Sequence, residues 1–216
     1  MDSARSELAP TRPWIALKIL IAGGFGVGKT TMVGTVSEIR PLRTEEYITE
    51  ASRGVDDPGA VEHKTTTTVA IDFGRITFDN RLALYLFGTP GQDRFWFLWD
   101  DIAEGALGAV VVADTRRLQD CFPAVDYFER RAIPFVVAVN CFDGCRRYRV
   151  DQVSAALDLD PGTPVVLCDV RDRTSSKEVL IAVVERARRD QRFQAGGRGA
   201  EQAGENHHRL GGDWPA

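Results

Sequence analysis

Gly23-Gly24-Phe25-Gly26-Val27-Gly28-Lys29-Thr30 puts a lysine and a threonine at the end of a glycine-rich loop, in the spacing G-x-x-x-x-G-K-[ST]. That chemistry suits phosphate. Glycines let consecutive N–H groups curl toward phosphate oxygens, and a helix starting at the loop's end adds its positive pole. On this reading Gly23, Gly24, Phe25, Gly26, Val27, Gly28 and Thr31 line the phosphates. Lys29 reaches the β- and γ-phosphates, and the Thr30 hydroxyl binds Mg²⁺. The plain alternative is a glycine-rich turn without function. The flanks favour the former: an apolar run over 14–22 reads as a buried strand, and 30–39 reads as a helix.

Two further groups of residues add chemistry. Asn140-Cys141-Phe142-Asp143 follows an apolar run, and ligands of parallel sheets meet the ends of such strands. The Asp143 carboxylate can accept from guanine N1–H and its exocyclic amine, while Asn140 ties this loop to the phosphate loop. Adenine presents an acceptor where guanine has N1–H, so Asp143 would repel it. Asn and Asp are also ordinary turn residues, so a simple post-strand turn stays open. In Gly88-Thr89-Pro90-Gly91-Gln92, the Gly91 N–H is placed to meet a γ-phosphate and Gln92 to orient an attacking water. A Pro-Gly turn is the rival reading.

The elements that must carry these groups alternate between apolar, β-branched runs and helical patterns, as in an α/β sheet. Residues 67–77 and 82–87 read as a hairpin turned at Asp79-Asn80. Residues 109–113, 135–139 and 164–167 read as buried parallel strands, and 118–131, 150–157 and 174–189 as helices. Residues 40–64 form a long polar stretch without period. Residues 1–12 are expected to be disordered, 13–190 to form one domain, and the Gly-rich 191–216 to be a disordered tail.

Net charge is -4, which offers no basic field for nucleic acid. No run approaches a membrane span, residues 1–12 lack a signal-peptide pattern, and the cytosol is the expected location. Cys121, Cys141, Cys145 and Cys168 lack the pairing a zinc site needs and read as reduced structural thiols.

Across about residues 14–190, the phosphate loop, Gly88 to Gln92 and Asn140 to Asp143 together resemble a Ras-like small GTPase. More narrowly, residues 64–68, 86–99 and 139–144 resemble the bacterial gliding-motility (MglA-type) and actinobacterial conservon GTPases. The resemblance implies a three-layer α/β P-loop NTPase (Ras-like) fold, with a six-stranded, mostly parallel sheet and one antiparallel edge strand. It also implies a switch cycling between GTP and GDP with Mg²⁺, with two mobile switch segments. Thr68 matches the threonine that binds Mg²⁺ and the γ-phosphate, within a register left open by Thr65, Thr66 and Thr67. Cys168-Asp169-Val170 resembles the short base-lining motif, with Asp169 beside the base and the Val170 N–H toward guanine O6.

Three departures bear on chemistry. Gly88 stands where small GTPases carry the Mg²⁺-associated aspartate; Asp114, at the next strand's end, is a rival ligand or else a loop cap. Phe25 replaces a small residue over the γ-phosphate, which implies slow turnover. Arg53 then resembles an intrinsic catalytic arginine, against the reading of a solvated loop residue. Cys141 replaces the lysine whose stem packs on the base, implying weaker guanine affinity.

Phe95-Trp96-Phe97-Leu98-Trp99 supplies more aromatic area than one helix face can bury. Helical spacing places Phe95, Leu98, Trp99 and Ile102 together and leaves Trp96 and Phe97 outside. The family resemblance suggests a roadblock/LC7 regulator docking near Phe95, Trp96, Phe97 and Trp99, in the wider setting of a membrane sensor kinase complex. The expected function is a slow GTP hydrolase acting as a switch, with Gln92, Arg53 and Lys29 as catalytic candidates. A P-loop small-molecule kinase and a nucleotide-holding scaffold without turnover are the alternatives.

Overall fold

Strands rich in Val, Ile and Ala must bury both faces, and the chain meets that demand by stacking helices on both sides of one sheet. The computed structural model describes residues 14–49, 66–78, 81–91 and 97–208, with side chains over 14–42, 71–78, 81–91 and 97–191. In chain order the elements are β1 (Ile15–Ala22), α1 (Lys29–Val36), β2 (Leu42–Thr49), β3 (Thr66–Phe78), β4 (Leu82–Gly88), α2 (Trp99–Ala103), β5 (Ala106–Ala113), α3 (Phe122–Arg130), β6 (Phe135–Asn140), α4 (Val150–Ala156), β7 (Val165–Cys168) and α5 (Arg173–His208). A 3₁₀ turn over Leu118–Cys121 leads into α3. Among the described residues no helix is long and apolar enough to cross a membrane.

The sheet order is β2-β3-β4-β1-β5-β6-β7. β1 pairs in parallel with both β4 and β5, so the strand order reverses around it and opens a crevice beyond its C-terminal end. One core layer packs Met32, Val33 and Val36 of α1 and Val179, Leu180 and Val183 of α5 on one face. The other packs Trp99, Val125 and Phe128 on the opposite face. The three-layer α/β arrangement is the one expected.

Three expectations need correction. The sheet has seven strands, not six, because Leu42–Thr49, inside the stretch read as aperiodic, forms β2. Its composition of Arg, Thr and Glu with few aliphatics suits a solvated edge, which carries no apolar run to be read. β3 is antiparallel to both β2 and β4. It is therefore the one reversed strand but lies inside the edge rather than on it. Finally, α5 continues to His208, past the boundary at 191 that composition suggests. Glycines at 196, 197, 199 and 204 weaken a helix, but no proline stops it before Pro215. The Asp79-Asn80 turn and residues 1–12 lie outside the described residues.

Candidate functional site

The phosphate loop leaves β1 at Gly23, whose φ is 130° and where an added Cβ would stand 2.3 Å from the Val112 carbonyl oxygen. Only glycine fits there. The loop ends at Gly28, which caps α1 in a left-handed conformation with φ 111° and contributes no side-chain cap. No acidic residue occupies the first turn of α1, where Thr31 lies exposed. Its N-terminal amides and positive pole are thus left for an external anion. Lys29 Nζ bridges the loop, donating to the carbonyls of Gly23 at 2.9 Å and Gly24 at 2.6 Å. Burial pushes its pKa down to about 8, against the opposing pull of Asp72.

Gly91 closes over this lysine. A Cβ on Gly91 would stand 2.5 Å from Lys29 Nζ and 3.1 Å from the Gly24 carbonyl oxygen. Its segment is anchored by Thr89 N donating to Ile21 O at 2.9 Å and Trp99 Nε1 donating to Pro90 O at 3.4 Å. Trp99, expected above beside a docking surface, is instead buried, on the side that helical spacing gives it. It is 3% exposed and sits edge-on to Tyr127 at 5.1 Å, because its ring fills the space between α2 and α3. Phe97, by contrast, is 59% exposed.

A carboxylate that sequence reading missed stands beside Thr30. Thr30 Oγ1 donates a short hydrogen bond to Asp72 Oδ2. In the antiparallel register Asp72 faces Gly88, and a Cβ at Gly88 would lie 3.0 Å from Asp72 Cβ. A carboxylate thus stands one strand away from position 88, and the glycine makes room for it. The signal in the sequence is an aspartate inside an otherwise apolar strand, Val69-Ala70-Ile71-Asp72-Phe73. Asp114 does not join them. Its buried carboxylate accepts from Arg116 N, Nε and Nη2 at 2.7–3.1 Å, capping the turn after β5, and Arg116 holds it below the usual carboxylate range.

Asn140 ends β6 and joins three loops. Its Nδ2 donates to Val27 O at 3.0 Å, and its Oδ1 accepts from Val170 N at 3.3 Å. A Cβ on Gly28 would lie 2.9 Å from both Asn140 Nδ2 and Val170 Cγ2. Expected to face a base, the Val170 N–H instead satisfies this buried amide. Cys141 N donates to Cys168 O at 2.7 Å, holding the two base-side loops together.

A cleft of about 320 Å³ opens there, lined by Cys141, Phe142, Asp143, Cys168 and Asp169 among others. Asp143 stands in solvent, 85% exposed, and pairs with Arg171 at 2.8 Å. Arg171 hydrogen bonds hold Asp143 below the ordinary carboxylate range and Asp169 at about 2. Two successive arginines connect the ends of the site. Arg117 Nη2 donates to Phe25 O at 3.0 Å, and the Arg116 guanidinium lies 4.1 Å over the Phe142 ring. Phe25 itself is 67% exposed.

Arg53, Gln92, Phe95 and Trp96 lie outside the described residues. Thr68 pairs through its backbone with Tyr47, and its side chain is likewise outside them. Cys121, Cys141, Cys145 and Cys168 are free thiols, and burial pushes Cys121 up to about 11 and Cys168 up to about 12. Among the described residues no three His, Cys, Asp or Glu side chains gather to hold a metal by themselves.

The model of a family described as conserved hypothetical ATP binding protein matches residues 21–189. The chain belongs to this family. An uncharacterized protein of Methanocaldococcus jannaschii is 30% identical over 129 residues, spanning 59% of this chain and 71% of that protein. Solved structures of similar fold include the G domain of the T. maritima FeoB iron transporter, 17% identical with a TM-score of 0.56 over 80% of this chain and 99% of that one. The FeoB G domain from Methanococcus jannaschii is 15% identical, with a TM-score of 0.55 over 81% and 99%. At such identities the likeness is one of fold. This member of the ATP-binding family has the P-loop fold of G domains.

Proposed function

We propose that the protein is a guanine-nucleotide-dependent switch that binds Mg²⁺·GTP and hydrolyses it slowly to GDP. The observation that carries this is Asn140, which fastens the phosphate loop through Val27 to the loop bearing Asp143. One ligand can then meet Lys29 with its phosphates and Asp143 with its base. A carboxylate in that cleft suits guanine's two donors and opposes the adenine acceptor. The FeoB G domains and the Ras-like motifs support the guanine choice. The family's description favours ATP instead, and this is the second reading.

In the switch, Lys29 exchanges its carbonyl partners for phosphate oxygens and neutralises charge developing during transfer. The donor set beside it is hard oxygen, the Thr30 hydroxyl and the Asp72 carboxylate, which fits Mg²⁺ bound alongside phosphates. When bound, Mg²⁺ supplies charge neutralisation at the phosphates, with Thr68 a further ligand in the family pattern. Gln92 orients water and Arg53 assists in cis, while the bulk of Phe25 hinders Gln92 and any arginine supplied by a partner. Phe97 and its neighbours Phe95 and Trp96 form the docking surface for a roadblock/LC7 regulator in the cytosol, within a membrane sensor kinase complex. Kinship with the gliding-motility and conservon GTPases rests on the resemblance of residues 64–68, 86–99 and 139–144.

The test is phosphate release from GTP and from ATP, each with Mg²⁺ and with excess chelator. Slow, Mg²⁺-dependent release from GTP alone is expected. Release from ATP at an equal or greater rate would put the second reading first.

A further inference from the structure

Arg171 belongs to none of the motifs, yet it occupies the group on which base recognition depends. Its Nη1 donates to Asp143 Oδ2 at 2.8 Å and its Nη2 to Oδ1 at 3.0 Å. The other edge of the same guanidinium is held by Asp169, with Nε to Oδ1 at 2.9 Å and Nη2 to Oδ2 at 2.8 Å. Asp169 is in turn fixed by its own turn, its Oδ1 also accepting from Arg171 N at 2.9 Å. A single flat cation thus forks onto two carboxylates.

The edge that Asp143 receives is two parallel N–H donors on one planar C–N framework. The N1–H and exocyclic amine of guanine form the same array, because that side of the base is itself a cyclic guanidine. We propose that Arg171 is a built-in competitor for guanine, occupying Asp143 in the nucleotide-free protein and yielding it when the base arrives. The proposal rests on the guanine reading of Asp143.

The exchange conserves hydrogen bonds: Asp143 loses two donors and gains two. Arg171 keeps its fork on Asp169, so it stays poised to return as the base leaves. Both partners are exposed, Arg171 at 54% and Asp143 at 85%, and exposed pairs are individually weak. Arg171 therefore tunes affinity and release rather than blocking the site. Every ligand that needs Asp143 meets this competition, and a ligand that touches only the phosphate loop meets none.

The experiment is calorimetry of GDP and of pyrophosphate on the full chain, comparing wild type, Arg171→Ala, Arg171→Lys and Asp143→Asn. Removing the competitor in Arg171→Ala tightens GDP about two- to fivefold. Pyrophosphate affinity stays unchanged, and this also reports an intact phosphate loop. Arg171→Lys keeps the charge but loses the fork, and gives the same sign with a smaller change. Unchanged or weaker GDP binding in both Arg171 variants, with Asp143→Asn still weakening GDP, would overturn the competitor role alone. GDP binding indifferent to Asp143→Asn would remove the guanine reading and this proposal with it.

Discussion

The two ends of the site are built from different materials. At the phosphate end, the loop's own backbone supplies the carbonyls that hold Lys29, and the helix terminus supplies free amides. Glycines there are pressed against backbone oxygens, as at Gly23, where no other residue fits. At the base end the groups are side chains in solvent, Asp143, Asp169 and Arg171, held by one another. Backbone geometry is set once by the fold, whereas exposed ion pairs rearrange at little cost. Phosphate binding is thereby a fixed property of the scaffold, and base choice an adjustable one. Asn140, 5% exposed, is where the two meet.

That division can be broken at its rigid end first. Lys29→Ala removes a charged hydrogen-bonding group from the phosphates and should weaken GTP and ATP alike by about a hundredfold. Whatever ratio wild type shows between them survives, because the base end is untouched. Equilibrium binding of both nucleotides checks this, and a changed ratio would mean the two ends are not separable.

Cutting the link is the next largest effect. Asn140→Ala leaves Val27 O and the Val170 N–H buried without their partner, costing about 1–3 kcal/mol of folding stability. Denaturant unfolding should show that loss, together with weaker binding of every nucleotide.

The smallest effect sharpens the comparison through pH. Lys29 in the free protein titrates near 8, lowered by burial, while bound phosphate favours its charged form. Below that value the proton is already present and binding takes up none. Above it binding must recruit a proton, so affinity falls as pH rises toward the ordinary lysine range. The loss is about tenfold between about pH 7 and about pH 9. Binding heats measured at alkaline pH in buffers of different ionisation enthalpy should reveal the uptake. The carboxylates at the base end are ionised throughout that window and add nothing to it.

Legibility in the sequence follows the same division. The phosphate loop, its strand and its helix were readable because they are contiguous and each position answers a local backbone demand. Asn140 was readable through its Asn-x-x-Asp spacing at a strand end, although its tie to Val27 spans 113 positions. Asp72 was not, because its place beside Thr30 depends on the β3–β4 register, which sets it opposite Gly88. Arg171 was not, because its partner Asp143 lies 28 positions earlier on another loop. Helical spacing already set Trp99 apart from exposed Phe97, but its partners Tyr127 and Phe128 on α3 emerge only from the packing. β2 escaped because an edge strand carries polar residues that a periodicity search takes for a loop.

The measurement that tests the central claim most directly is calorimetric binding of GTP against ATP in Mg²⁺, on wild type and on Asp143→Asn. Tight GTP binding, little ATP binding, and collapse of that preference in the variant is the predicted result. Equal or better binding of ATP by the wild type, with no response to Asp143→Asn, would contradict it.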